Sequence, residues 1–183
     1  MENLSKVHVK IKPFLSENVV TSVETTVVME SAFYKKGDIF DVHPVFYAGC
    51  AMTGYGTEDF QLQDDTGSFG FTCEDGMGDF GPQRSYYFDR DVSGRLVITY
   101  RAKTLEKNPK KADPGFSLFQ TYGGYTASGL AFLVLPMNGK FEFSIEHDLS
   151  SFSSKAEAVC SYGKGSFSKC CEAKELKETF YMA

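Results

Sequence analysis

The sequence lacks tryptophan and holds only three histidines and six prolines among its 183 residues. No stretch of 18 apolar residues occurs, so the sequence predicts no membrane-spanning helix. His8, His43 and His147 stand far apart, and none has a second histidine four residues on. The H-E-x-x-H helix that binds catalytic zinc is therefore absent. We expect no metal or other cofactor in this chain.

An excess of basic charge is also missing. The chain has 19 lysines and arginines against 24 acidic residues, for a net charge of −5. Nucleic-acid binding needs a basic surface that neutralises phosphates, so this balance argues against a nucleic-acid partner. The one lysine-rich run, 103–111, is better explained as a solvated loop. With no apolar span, we expect no membrane partner either.

Regularly spaced cysteines, the mark of a secreted disulfide framework, are absent as well. The five cysteines are odd in number and irregular in spacing, and the adjacent pair Cys170–Cys171 is not a C-x-x-C zinc motif. Lysines interrupt the first 20 residues, which rules out a standard signal peptide there. The sequence therefore favours free thiols in the cytoplasm.

What the sequence has in plenty is aromatic residues and glycine, with 17 Phe, 10 Tyr and 17 Gly. Phe and Tyr favour strands, and many glycines imply many turns. Apolar residues alternate with polar ones over 7–11 and again over 23–29, the period of a half-buried strand. These features predict an all-β fold, an antiparallel sandwich or curved, saddle-like sheet of about ten strands.

Two hairpins are predicted within this fold. One joins the strand at 60–63 to the strand that begins at Phe69, across a short Asp/Gly loop. The other joins 130–135 to 140–147 through the turn Asn138-Gly139. Helical composition occurs only at 169–179. We therefore predict a single β domain over 1–168 and a short helical tail over 169–183.

No segment offers a complete catalytic motif. The Gly-rich stretches at 123–124 and 163–165 do not match a phosphate-binding P-loop and are better explained as turns. The acidic stretches at 64–67 and 75–79 lack the order of an EF-hand and are typical of solvated loops. No serine stands in G-x-S-x-G, so a nucleophile elbow has no support. The sequence predicts no catalytic residue.

The second half of the chain carries a series of short motifs in a characteristic order. They are Val97–Arg101, Phe116–Phe119, Gly129–Pro136, Phe141–Ser150 and Ala158–Gly165. This series resembles the N-terminal β domain of the glycyl-aminopeptidase family of gluzincin zinc metallopeptidases. That domain has v-x-Y-r, G-x-x-F-L-x-l-P, W-D-L-S and S-x-G-x-G in the same order, and the tail 175–183 resembles its entry into the catalytic domain. The similarity is loose over the first eighty residues.

The resemblance implies a non-catalytic domain that packs against a downstream peptidase domain of the same protein and helps form the substrate cleft. Zinc is then expected only in that downstream domain, and a peptide substrate is a possible partner. His147 departs from the pattern, because the family usually has Trp there. The zinc helix is not found in these 183 residues, and an end at Met182-Ala183, where a Gly is common in the family, favours a domain cut from a longer protein.

The loop 121–126 is the candidate contact with substrate or with the peptidase domain. Gly123 and Gly124 allow unusual backbone angles, and we expect Tyr122 and Tyr125 to present their rings together. A simple exposed turn is the alternative.

Two other functions remain open. One is a stand-alone β-sandwich module that binds carbohydrate or protein through exposed aromatic rings, since such rings can stack on a sugar or a peptide. Its candidates are Tyr47, Tyr55, Tyr86, Tyr87, Tyr122 and Tyr125. The other is a small hydrolase whose site the motifs do not reveal.

Overall fold

A computed structural model describes residues 4–47, 50–52, 55, 57–79, 81–106, 115–136, 139–152 and 155–183. In chain order its strands are β1 (Lys6–Ser16), β2 (Val19–Tyr34), β3 (Ile39–Pro44), β4 (Phe46–Tyr47), β5 (Cys50–Ala51), β6 (Phe60–Asp64), β7 (Gly67–Phe69), β8 (Phe71–Gly78), β9 (Gly81–Phe88), β10 (Val92–Lys103), β11 (Phe119–Thr121), β12 (Gly124–Ser128), β13 (Lys140–His147), β14 (Val159–Cys160), β15 (Gly163–Lys164), β16 (Phe167–Glu172) and β17 (Phe180–Met182). The helix α1 spans Ala173–Lys177, and 3₁₀ turns span Thr57–Asp59 and Gly129–Ala131.

Seven strands form the large sheet, in the order β16-β13-β1-β2-β10-β6-β7. All its neighbours are antiparallel except β1 and β13, which run parallel. In β1 the side chains of Val7, Val9 and Ile11 are buried, whereas His8 and Lys10 point outward. This alternation places one face of the sheet on the core and the other in water.

Smaller sheets complete the core on the inner face of the large sheet. A three-stranded sheet has the order β3-β9-β8, and a five-stranded sheet, the small sheet below, has the order β11-β12-β17-β14-β15. Aromatic rings fill much of the space between the sheets; Phe40 of β3, for example, lies edge-on to Phe60 of β6 with ring centroids 6.1 Å apart. The all-β prediction with a short C-terminal helix is confirmed.

The predicted hairpin at 60–69 is confirmed, because β6 pairs with β7 antiparallel. The predicted hairpin of 130–135 with 140–147 is wrong. The 3₁₀ turn and the buried residues that follow it up to 136 join no sheet, and β13 pairs instead with β1 and β16. Asn138, part of the predicted turn, lies outside the described residues.

Tyrosine hydroxyls explain why the segment 129–136 needs no strand partner. The Tyr100 hydroxyl donates to the carbonyl of Phe132 at 2.6 Å and accepts from the amide of Val134 at 2.8 Å. The Tyr55 hydroxyl donates to the carbonyl of Ala131 at 3.1 Å. Buried backbone groups must be hydrogen-bonded, and side chains here replace part of the strand ladder.

The segment predicted as a helical tail is more varied than its composition suggested. Residues 169–172 finish β16 of the large sheet, α1 follows, and β17 then enters the small sheet. A capping box begins the helix, with the amide of Glu172 donating to the carboxylate of Glu175 at 3.3 Å. The boundary between a β domain at 1–168 and a tail stays a prediction.

Candidate docking face

The loop 121–126 connects β11 to β12 in a tight turn, with Gly123 at a φ of 74°. Tyr122 is fully exposed, whereas Tyr125 is only 1% exposed. Because Tyr125 is buried, the prediction that both rings are presented together is wrong. Only Tyr122 is available to a partner.

Tyr125 belongs to the core. Its ring lies edge-on to Phe132 with centroids 6.3 Å apart, and burial raises the pKa of its hydroxyl well above the usual range. Among the described residues the hydroxyl has no hydrogen-bond partner. The ring therefore stabilises the fold by packing rather than through its polar atom.

Gly124 allows β12 to lie close to the end of β17. The amide of Tyr125 donates to the carbonyl of Ala183 at 2.8 Å, and the amide of Ala183 donates to the carbonyl of Tyr125 at 3.2 Å. A Cβ at position 124 would overlap that Ala183 carbonyl oxygen. The sequence suggested Gly124 for its unusual backbone angles, but here it is required because a side chain would not fit against the backbone of Ala183.

Three rings run across the surface beside the small sheet. Tyr47 lies edge-on to Phe116 at 5.2 Å between centroids, and Phe116 lies 5.8 Å from Phe180. Phe46 and Phe180 are 44% and 36% exposed, and Met182, two residues after Phe180 on β17, is also exposed. We call Phe46, Tyr47, Phe116, Phe180 and Met182 the docking face. Tyr47 and Phe116 are partly buried beneath the three exposed side chains. Apolar side chains that stay partly exposed side by side mark contact surfaces.

A groove of about 390 Å³ continues the docking face and shares Phe46 and Tyr47 with it. Its other apolar walls include Pro44, Leu130 and Pro136, and α1 provides Ala173 on one side. Lys174, Lys177 and Glu178 give that side a charged rim. Apolar walls with a few polar groups are the usual composition of a binding groove.

A buried ion pair fixes α1 at the side of this groove. Lys177 Nζ lies 2.7 Å from a carboxylate oxygen of Asp41 on β3, and both side chains are largely buried. The backbone carbonyl of Lys177 also accepts a hydrogen bond from the Ser128 hydroxyl at 3.0 Å. Because the ammonium group of Lys177 is already paired with Asp41, we infer that Lys177 holds the helix in place rather than binding a ligand.

The sequence analysis did not find Phe46, Phe116 and Phe180 as surface residues. Alternation in Phe180–Met182 could have indicated that Phe180 and Met182 point one way and Tyr181 the other. Phe46 and Phe116 gave no such signal, because their exposure depends on strands distant in sequence.

The histidines do not meet. His8 lies on the outer face of the large sheet, His43 is buried 4.5 Å from the ring of Tyr55, and His147 ends β13. Within the described ranges no group of three or more His, Cys, Asp or Glu side chains could hold a metal ion. These residues do not fit a zinc site. Nor does any described helix have the length and apolar character needed to cross a membrane.

Three of the six tyrosines considered for a binding platform are buried. Tyr55, Tyr86 and Tyr125 are each at most 3% exposed and therefore cannot stack on a ligand. The cysteines whose side chains the structure describes, Cys73, Cys160, Cys170 and Cys171, are free thiols.

No family model and no curated protein sequence matches this chain. Among solved structures, an aminopeptidase N family protein from Idiomarina loihiensis matches 96% of the chain at 6% identity and a TM-score of 0.58. The matched part is its N-terminal domain, and the chain spans only 29% of that protein's length. The fold of this chain is therefore that of an aminopeptidase N-terminal domain.

Two further solved structures match with lower scores. An M1 zinc metallopeptidase variant from Deinococcus radiodurans, bound to a Tyr-Ser-Ala substrate, matches 97% of the chain at 10% identity and a TM-score of 0.48, over 40% of its length. Native yeast LTA4 hydrolase matches 98% at 13% identity and a TM-score of 0.42, over 28% of its length.

Proposed function

We propose that this chain is the non-catalytic N-terminal β domain of a zinc aminopeptidase-like protein and that the docking face packs against the peptidase domain of the same protein. The docking face carries the proposal, because a domain with this fold and a row of partly exposed aromatic side chains is suited to a neighbouring domain. Zinc and the general base belong to the peptidase domain, since the residues here do not fit a metal site.

The fully exposed ring of Tyr122 supports the proposal of a second role for this domain. It projects from the turn between β11 and β12 of the small sheet, which also holds Phe180 and Met182 of the docking face. We propose that it borders the cleft in which a peptide substrate binds, where a tyrosine ring supplies both apolar contact and a hydroxyl.

The docking role is tested in the protein that joins this chain to its peptidase domain. The double variant Phe46→Asp, Phe180→Asp places two charges in the contact, so we expect the two domains to unfold separately and kcat/KM for an aminoacyl substrate to fall. Phe33→Asp is the matched control, because Phe33 is 73% exposed and lies outside the docking face. A single unfolding transition and unchanged kinetics in both variants would disprove the contact.

The non-catalytic role is tested on the chain alone. With added zinc and an aminoacyl-p-nitroanilide, we expect only background hydrolysis. Hydrolysis that a chelator abolishes would show that the chain has its own active site. In the longer protein, Tyr122→Ala should raise KM without changing the stability of the fold; unchanged KM would leave the loop as a connection.

A further inference from the structure

His147 lies where the large sheet meets the small sheet. It is the last residue of β13, and its backbone amide donates to the hydroxyl of Ser166 at 3.3 Å. Its ring lies 6.4 Å from the ring of Tyr181 on β17, between centroids. A cleft of about 280 Å³ opens beside it, lined also by Ala158 and Gly165.

Both ring nitrogens of His147 are buried, and within the described part of the chain neither has a hydrogen-bond partner. A neutral imidazole tolerates this position at a modest cost, whereas an imidazolium there would carry two buried donors and a charge without acceptors. The ring therefore has an unfavourable protonated state in the folded chain.

The charged groups around the ring do not offset that cost. Tyr181 faces it from β17, and the cleft contains Glu157 and Lys164, which bind each other at 2.7 Å. Asp148, the next residue, is bound to Lys10 of β1 at 3.0 Å. Burial lowers the pKa of His147, and no neighbouring carboxylate contributes to the shift.

We propose that His147 makes the contact between the two sheets sensitive to acid. When its ring takes up a proton, the pairing of β14 with β17 loosens, and the exposed side chains of β17 lose their fixed position. Cys160 of β14 pairs with Tyr181 of β17, so β14 holds in place the strand that bears Phe180 and Met182. This loosening is a property of the folded chain itself and does not require a docking partner.

The direction of the effect follows from proton linkage. The unfolded chain binds a proton on this histidine near its ordinary pKa of about 6.5, above the pKa of the folded state. The free energy of unfolding is therefore unaffected by His147 above about pH 6.5, and it decreases as the pH drops below that value. For one proton the folding equilibrium constant falls by up to about tenfold per pH unit in this window.

The test compares urea unfolding midpoints of the chain, His147→Phe and the control His8→Phe between pH 7.5 and pH 5. His8 lies half-exposed on the outer face of the large sheet. We expect the midpoint to fall with pH in the unaltered chain and in His8→Phe, and to change less in His147→Phe. Parallel curves for all three would overturn the proposal.

Two measurements on the unaltered chain guard against a variant that fails to fold. The ring protons of His147 should titrate in NMR with a midpoint below the ordinary value of about 6.5, and a midpoint at or above that value would overturn the proposal. Hydrogen-exchange protection of the Ser161 amide, which donates to the Phe180 carbonyl, should decrease between pH 7 and pH 5.5. The amide of Val27 in the large sheet is the control, and an equal loss of protection there would show general unfolding instead.

Discussion

The outer face of the large sheet and the docking face both meet solvent, but with opposite kinds of side chain. On the outer face Arg101 binds Glu24 at 2.7 Å and Lys10 binds Asp148 at 3.0 Å. The docking face exposes Phe46, Phe180 and Met182. Surface ion pairs keep a face compatible with water and add little stability, whereas contiguous apolar residues gain by being covered. The outer face is therefore suited to contact with water, and the docking face is suited to contact with a partner.

The largest effect is expected at the buried ion pair beside the docking face, and an ion pair on the outer face serves as the comparison. Asp41→Ala should lower the free energy of unfolding by about 3 kcal/mol, because it leaves the Lys177 ammonium buried without a partner. Glu24→Gln, which breaks the pair with Arg101, should cost less than about 1 kcal/mol. Urea denaturation measures both, and similar losses would contradict the distinction.

Close packing beneath the docking face is tested at two glycines. Gly124→Ala should cost about 2 kcal/mol, because the added methyl overlaps the Ala183 carbonyl. Gly76→Ala in β8 meets no atom within 4 Å and should be neutral or stabilise by about 0.5 kcal/mol. Thermal unfolding distinguishes the two, and equal midpoints would show that β12 and β17 can move apart.

Two tyrosines test whether a buried hydroxyl matters only when it has partners. Tyr100→Phe should cost about 1.5 kcal/mol, because it removes the links to Phe132 and Val134 in the buried segment. Tyr125→Phe should change stability by less than about 0.5 kcal/mol, since its hydroxyl has no partner among the described residues. A clear loss for Tyr125→Phe would reveal a partner for that hydroxyl.

The last comparison concerns the acid end of the pH range and Asp64 at the end of β6, which pairs with Arg90. Two hydrogen bonds of 2.8 Å from the Arg90 guanidinium hold the pKa of this carboxyl well below its usual range. The unfolded chain therefore takes up this proton first, and the stabilisation is lost as the pH falls below about 4. Arg90→Gln should flatten that part of the stability profile; an unchanged profile between pH 4 and pH 2 would contradict it.

The sequence predicted the fold class because alternation in β1 and β2 reports directly which side chains are buried. It failed at 130–135, where an apolar run suggested a strand although tyrosine hydroxyls from distant strands satisfy the backbone. It placed the candidate loop correctly as a turn, yet could not tell that Tyr125 faces inward. Local patterns give the period of a strand, whereas register and long-range contacts decide which face meets solvent.

The parallel pairing of β1 with β13 sets an order of assembly. Lys6 pairs with Glu142 and Ile11 with His147, so β1 cannot complete its pairing until β13, more than a hundred residues later, has been synthesised. β1 can first form a hairpin with β2, which leaves its other edge open during synthesis. Such non-local pairing slows folding, and an open edge invites pairing with other chains. The outward lysines of β1, Lys6, Lys10 and Lys12, put like charges on that edge and oppose its pairing with a second copy until β13 arrives.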